Sequence, residues 1–164
     1  MKAQDWIHAL SLVQHVEGGW YSETYRSGEE IATSRRGTNR NVMTSIYYML
    51  TRERPTDHLH KNTSDIVHYF HAGSAVTYLV VSPGGELHRH RLGVDVANGE
   101  TPQLLVPGGH WKTALLEEGD YGLIGEAVAP GFDFRDMHLA TAAEFKEDHP
   151  HLYECLVPYI KATS

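Results

Sequence analysis

Cysteine is almost missing: Cys155 is the single one in 164 residues. That excludes an internal disulfide framework and a four-cysteine zinc site, and it suits a reducing compartment. Long apolar runs are also absent. The longest, residues 75–81, falls far short of the roughly 20 residues that cross a bilayer. The first residues carry no apolar core of signal-peptide length and no small-residue cleavage site, so a cytoplasmic protein with no membrane contact is expected. Basic residues are few, 14 Lys and Arg against 21 Asp and Glu, for a net charge of −7. A nucleic-acid groove shows as a basic excess, so no nucleic-acid partner is expected. The G-x-S-x-G elbow of a serine hydrolase is missing. None of the Gly-Gly pairs at 18–19, 84–85 and 108–109 runs into the Gly-Lys-Ser/Thr of a phosphate loop.

What is abundant is histidine, with 12 residues, nearly as many as all the Lys and Arg. Imidazole changes charge near neutral pH and is the commonest metal ligand. The chain is long enough to bury a core by itself, and no linker, repeat or low-complexity run divides it, so residues 1–164 read as a single domain.

Helical periodicity is confined to the two ends. Trp6, Ile7, Leu10 and Val13 form a stripe over residues 4–16, which Glu17-Gly18-Gly19 stops. Near the other end, Thr141 and Glu144 have capping-box spacing. Leu152, Cys155, Leu156, Tyr159 and Ile160 form a second stripe after Pro150, in which Pro158 predicts a kink or an early end. His138 and His149 read as surface residues, and Cys155 as a small buried hydrophobe. Between the ends lie nine short segments rich in Tyr, Val, Ile and Thr: residues 20–26, 42–50, 66–71, 75–82, 86–91, 103–106, 110–116, 121–128 and 134–140. Pro-Gly and Gly-containing turns separate them. That pattern predicts an all-β antiparallel barrel or jelly roll, not an α/β fold. Residues 27–40 read as a mobile loop whose Arg35-Arg36 pair is either a phosphate contact or merely solvated.

The segment Asp57-His58-Leu59-His60 places two histidines at i and i+2. In extended chain these share a side, the geometry that holds a metal from one strand. His88 and His90 repeat the spacing. Further marks follow: Gly73 closes the next strand, and Pro107-Gly108-Gly109 precedes Trp111. With these the chain resembles the cupin superfamily, and within it a family of unassigned function. That family is marked by HPEGG-Y (here His15 to Tyr21), E-T-Y-R (Glu23 to Arg26), T-x-I-Y-F-L-L (Thr44 to Leu50), H-x3-S-D-E (His60 to Ile66), V-P-x-G-x-W (Val106 to Trp111) and A-P-G-F-D-F (Ala129 to Phe134). The resemblance implies a double-stranded β-helix with helices at both ends. It also implies a homodimer, with the aromatic segment from Trp20 to Tyr25 as an edge that needs covering.

Two departures bear on chemistry. The acid of the first cupin motif is Ile66, and the histidine of the second falls at Lys112. Two of the usual four metal ligands are therefore absent, and an ammonium opposes a metal nearby. No metal and no cofactor is expected; convergence of His58, His60 and His68 with Asp65 on Zn²⁺, Ni²⁺ or Fe²⁺ is the alternative. If position 66 faces the barrel interior, strand parity turns His68 and Phe70 inward too. His60, His68, Tyr47 and Asp65 are then the candidate acid–base groups, with Tyr48 a second phenol beside Tyr47. Glu23, Arg26, Phe70, Trp111, Lys112 and Asp136 are candidate ligand contacts. Metal-independent cupins of similar build include sugar-nucleotide epimerases that use a His base and a Tyr acid. The resemblance therefore implies a small polar ligand, a carbohydrate or sugar nucleotide, bound or epimerised in the barrel. A non-catalytic sensing barrel and a metal-dependent enzyme are the other readings.

Overall fold

The computed structural model of the chain describes residues 1–35 and 37–162. Thirteen strands, three short α-helices and three single 3-10 turns alternate along it. The strands are β1 (Val13–Gln14), β2 (Trp20–Arg26), β3 (Glu30–Ala32), β4 (Asn39–Asn41), β5 (Thr44–Thr51), β6 (His60–Asn62), β7 (Asp65–Gly73), β8 (Val76–Val81), β9 (Leu87–Leu92), β10 (Gln103–Val106), β11 (Trp111–Leu115), β12 (Tyr121–Ala129) and β13 (Met137–Leu139). Helices α1 (Ala3–Ala9), α2 (Ala142–Asp148) and α3 (Tyr153–Leu156) lie at the two ends. One sheet runs β1-β2-β5-β12-β7-β10 and the other β13-β6-β11-β8-β9, with β3-β4 a separate hairpin. Every ladder is antiparallel, as the all-β expectation requires.

Strand alternation sorts the side chains into three layers. Tyr48, Leu50, Leu104, Val106 and Ile124 of the first sheet meet Val76, Tyr78, Val80, Leu92 and Ala114 of the second, and this apolar cluster is the barrel interior. The opposite parity faces outward. Met49 and Leu123 pack under Trp6, Ile7 and Leu10 of the N-terminal segment. On the far side, Val81 and Trp111 pack under Phe145 and Leu156 of the C-terminal helices, together with Leu59 and Ala140. The two helical stripes are therefore lids on the outer faces of a two-sheet sandwich.

Several boundaries differ from the sequence reading, each for a local reason. Helix α1 ends at Ala9, not residue 16: Ser11 takes a φ of 52°, and the chain then pairs Val13–Gln14 with β2. Residues 27–40 are not a loop throughout, because β3 and β4 form a hairpin tied down by Arg40, which is buried against Asp136. Arg36 lies outside the described residues; Arg35 donates to Ser64 and Asp136. The last predicted strand shrinks to β13, since Phe134–Asp136 is a 3-10 turn in which the Asp133 side chain accepts from Arg135 N. Thr141 caps α2 as expected, accepting from Glu144 N. The last stripe breaks into α3 and a 3-10 turn at Pro158. Leu152, Leu156, Tyr159 and Ile160 still pack on the outer core, but Cys155 is exposed, not buried, and His149, expected at the surface, is buried against Phe145.

Trp111 is 2% exposed, edge-on to Phe145 and under the Lys61 ammonium, on the face of β11 that looks away from the barrel interior. Trp111→Ala should cost about 3–5 kcal/mol, the range for emptying a buried aromatic site. Urea unfolding measures this, and a loss below ~1 kcal/mol would show that the C-terminal lid does not depend on it.

Candidate functional site

A β-barrel strand normally presents apolar residues inward, and one end of this barrel breaks the rule. His68 on β7, Lys112 on β11 and Glu126 on β12 all have inward parity and are 0%, 3% and 9% exposed. Lys112 Nζ lies 3.5 Å from His68 Nε2 and 3.8 Å from Glu126 Oε1. His68 Nδ1 lies 3.3 Å from the same Glu126 oxygen and 3.2 Å from the Tyr78 hydroxyl. The donor inventory fixes the tautomer. An ammonium only donates, so Nε2 of His68 accepts from Lys112, and Nδ1–H donates to Glu126 and Tyr78. Burial first, and then the Lys112 charge, lower the His68 pKa and keep the ring neutral. Burial pushes Glu126 up, but Lys112 and His68 outweigh it and hold the carboxyl well below the usual carboxylate range.

A second polar group faces this one. The chain leaving β1 turns through Gly18 and Gly19, at φ of 111° and 62°. A Cβ on Gly19 would lie 2.6 Å from the Tyr48 hydroxyl, and one on Gly18 would lie 2.9 Å from Thr56 O. Glycine is required at both. The turn is bridged to Asp57, and Tyr48 donates to Gly18 O. It carries Glu17 inward, where Oε2 sits 3.3 Å from His60 Nε2 and 3.4 Å from His15 Nδ1. His60 Nδ1 donates to His58 O at 2.6 Å. Its Nε2 is therefore a buried acceptor, with no donor among the described residues unless Glu17 is protonated. Burial raises Glu17 to about 8 in spite of Lys112, and burial with Lys112 lowers His60 to about 3. At neutral pH the pair is thus a carboxylic acid donating to a neutral imidazole. Behind it, burial raises Asp57 to about 7, although it accepts from Ala114 N and Thr113 Oγ1.

Glu17 and Glu126 both line one cavity of about 290 Å³, at the small end for a ligand pocket. His15, Asn62, Ile66, Tyr21, Glu23, Arg26, Phe132 and Phe134 contribute to its walls and mouth. Arg26 is already engaged there: Nε and Nη2 donate to Glu23, and Nη1 to Asn41 and Phe132 O.

Of the residues chosen from sequence, the structure brings together His60, His68, Glu23, Arg26 and Lys112. Ile66 lines the cavity and Phe70 packs against the core, so the parity argument places both inward. Five others lie elsewhere. Tyr47 faces outward under α1, beside His71; Tyr48 is the inward phenol. Asp65 is exposed and accepts from Gly108 N, a turn contact. Asp136 is bound by Arg40 and Arg35. Trp111 belongs to the outer core. His58 is half-buried, with Lys161 as its electrostatic neighbour, and does not join His60. Sequence reasoning missed Glu17, Glu126, His15, Asp57 and Tyr78. A carboxylate inside the otherwise apolar run of β12 was the readable signal for Glu126. Glu17 stands inside the HPEGG-like segment, where it was read only as the end of a helix.

The resemblance read from the sequence implies a metal, and these residues do not fit one. The position that should supply the last histidine holds Lys112, whose ammonium already occupies the His68 lone pair. Among the described residues no three His, Cys, Asp or Glu side chains are grouped to hold an ion. Ile66→Glu with Lys112→His should create a site with His68, seen as stoichiometric Zn²⁺ or Ni²⁺ binding by calorimetry. Tight binding by the parent chain would overturn this account.

The proton on Glu17 also sets a pH dependence. Its folded pKa lies above the ordinary 4.5, so the folded chain binds the extra proton and stability falls as pH rises between 4.5 and about 8. Asp57 adds to the fall up to about 7. His60 acts oppositely, because its pKa is depressed and its contribution is lost as pH drops from 6.5 towards 3. Above pH 7 Glu17 is the one of the three still titrating. Glu17→Gln, which mimics the neutral acid, should exceed the parent in stability at pH 8.5 by on the order of 2–4 kcal/mol. The gain should vanish towards pH 4.5; a gain constant across urea unfolding at pH 5, 7 and 8.5 would contradict it.

The sequence family described as Cupin superfamily (DUF985) matches residues 4–140. An uncharacterised protein of Saccharomyces cerevisiae is 38% identical over 146 residues, which are 81% of this chain and 72% of that protein. A hypothetical protein from Leishmania major superposes with a TM-score of 0.92 at 31% identity, covering 99% of this chain and 100% of the other. A protein from Shewanella oneidensis superposes at 0.89 with 36% identity, covering 99% of each. A two-sheet antiparallel barrel and these matches agree: the chain belongs to the DUF985 family of the cupin superfamily.

Proposed function

We propose that this barrel binds a small polar molecule, a carbohydrate or sugar nucleotide, and moves a proton on it without a metal, as an epimerase or isomerase does. The observation that carries the reading is the pair of carboxyls on one cavity wall, Glu17 and Glu126, whose environments drive their pKa values apart. Such a split separates acid–base from electrostatic roles. Glu17, protonated to about pH 8 with its proton directed at the His60 lone pair, gives and takes the proton. Glu126, ionised and pinned by Lys112 and His68, accepts hydrogen bonds from the ligand. The acid role thus moves from the expected tyrosine to Glu17, since Tyr47 is outside the barrel and Tyr48 spends its proton on Gly18 O. A homodimer belongs to the same proposal, supported by the stretch of β2 from Glu23 to Arg26 that β1 leaves uncovered.

Incubation with a panel of aldoses, ketoses and nucleotide sugars in D₂O tests this by mass spectrometry. At least one member should gain carbon-bound deuterium, and Glu17→Gln should reduce that exchange at least 100-fold. Saturable binding without exchange would leave a sensing barrel in place of an enzyme.

A further inference from the structure

The cavity's partners are unevenly distributed. Four carboxyls line it, and three already have a cation: Glu23 has Arg26, Asp133 has Arg135 and Glu126 has Lys112. Glu17 has none among the described residues; its partners are His15 and His60. Two further acceptors depend on an outside donor. His60 Nε2 has only the Glu17 proton, and Asn62 Oδ1, on a residue 7% exposed that lines the cavity, has none among the described residues. The cavity is therefore rich in acceptors and poor in donors, and the unpartnered Asn62 oxygen costs free energy until a donor arrives. Its rim is aromatic. Tyr21 lies edge-on to His15 at 4.4 Å, Phe134 stacks against His15 at 6.5 Å, and Phe132 lies edge-on to Phe134 at 5.0 Å. Phe134 is 59% exposed. Aromatic faces beside a carboxyl attract an organic cation, while an anion would meet only an arginine already bound on both edges.

We propose that the occupant is a hydroxylated organic cation, an amino sugar or related polyol amine, whose protonated amine is received by Glu17 and Asn62 beside Tyr21, Phe132 and Phe134. This rests on reading the cavity as the ligand site, though not on proton transfer. The ammonium's three N–H groups go to the Glu17 carboxylate, Asn62 Oδ1 and His60 Nε2, the last in place of the proton Glu17 held, which leaves to solvent. The groups facing Glu17 fix the direction of that release. His15 and His60 are kept neutral by burial, Glu126 stays ionised against Lys112, and Asp57 titrates near 7 in the same sense as Glu17. Affinity for the amine therefore rises from pH 6 to pH 8.5.

The test is calorimetric titration of the whole chain with three polyols that differ only at C1: 1-amino-1-deoxyglucitol, glucitol and gluconate. The amine should bind at least ~10-fold more tightly than glucitol, about 1.4 kcal/mol, and gluconate should not bind. Titrations at pH 7.5 in buffers of different ionisation enthalpy should show net proton release, which Glu17→Gln abolishes. Glu23→Gln, which frees Arg26, should weaken the amine and admit gluconate. Equal or tighter binding of glucitol or gluconate, or no binding of any of the three, overturns the cation assignment while deuterium exchange on a neutral sugar would still uphold the enzyme reading. Amine binding with no exchange on any substrate does the reverse.

Discussion

A lysine ammonium inside a β-barrel has to be compensated, and here Glu126 compensates it. The separation of 3.8 Å between Lys112 Nζ and Glu126 Oε1 looks modest, but both groups are at least nine-tenths buried, where an uncompensated charge is strongly unfavourable. The rest of the site follows. The Lys112 charge takes the His68 lone pair and lowers both inward histidines. It keeps Glu126 ionised, and so leaves Glu17 as the carboxyl on the same wall that carries a proton. With isoleucine at position 66 and lysine at position 112, the pocket is a set of fixed charges around one labile proton rather than a metal cradle.

The fold makes that arrangement possible by separating labour between the two parities of each strand. On β11, Lys112 and Ala114 face the interior, while Trp111 faces outward into the core under α2 and α3. On β5, Tyr48 looks in and Met49 looks out. The outer faces carry much of the apolar burial, through the N-terminal and C-terminal lids. The interior end near Glu126 can then spend its positions on polar groups.

Much of this was legible in the sequence. Turn residues at short spacing and Tyr-, Val- and Thr-rich segments located most strands. Parity alone placed Ile66, His68 and Phe70 on one face, and the ladder of β7 bears that out. The site was legible only in part. His60 and Lys112 stood at positions the resemblance marks and His68 followed from strand parity, whereas Glu17 depends on a two-glycine turn whose direction no periodicity encodes. Trp111 read both as a ligand platform and, more readily, as core, because a flat aromatic ring suits either. The register with β8 and the packing of α2 decide for the core. Leu152, Leu156, Tyr159 and Ile160 of the last stripe pack as the periodicity predicts, and Cys155 alone falls outside it.

Glu126 sits at the centre of β12, which is paired along both edges with β5 and β7. Glu17 instead hangs from a two-residue strand and a glycine turn, and Phe134 from a single 3-10 turn. The cavity is thus made of two materials. Its charged floor is held along both edges of a central strand, while its lip rests on short elements of the kind that open locally at low cost. A ligand that crosses the lip and draws the proton from Glu17 still meets an unchanged Glu126–Lys112 pair inside.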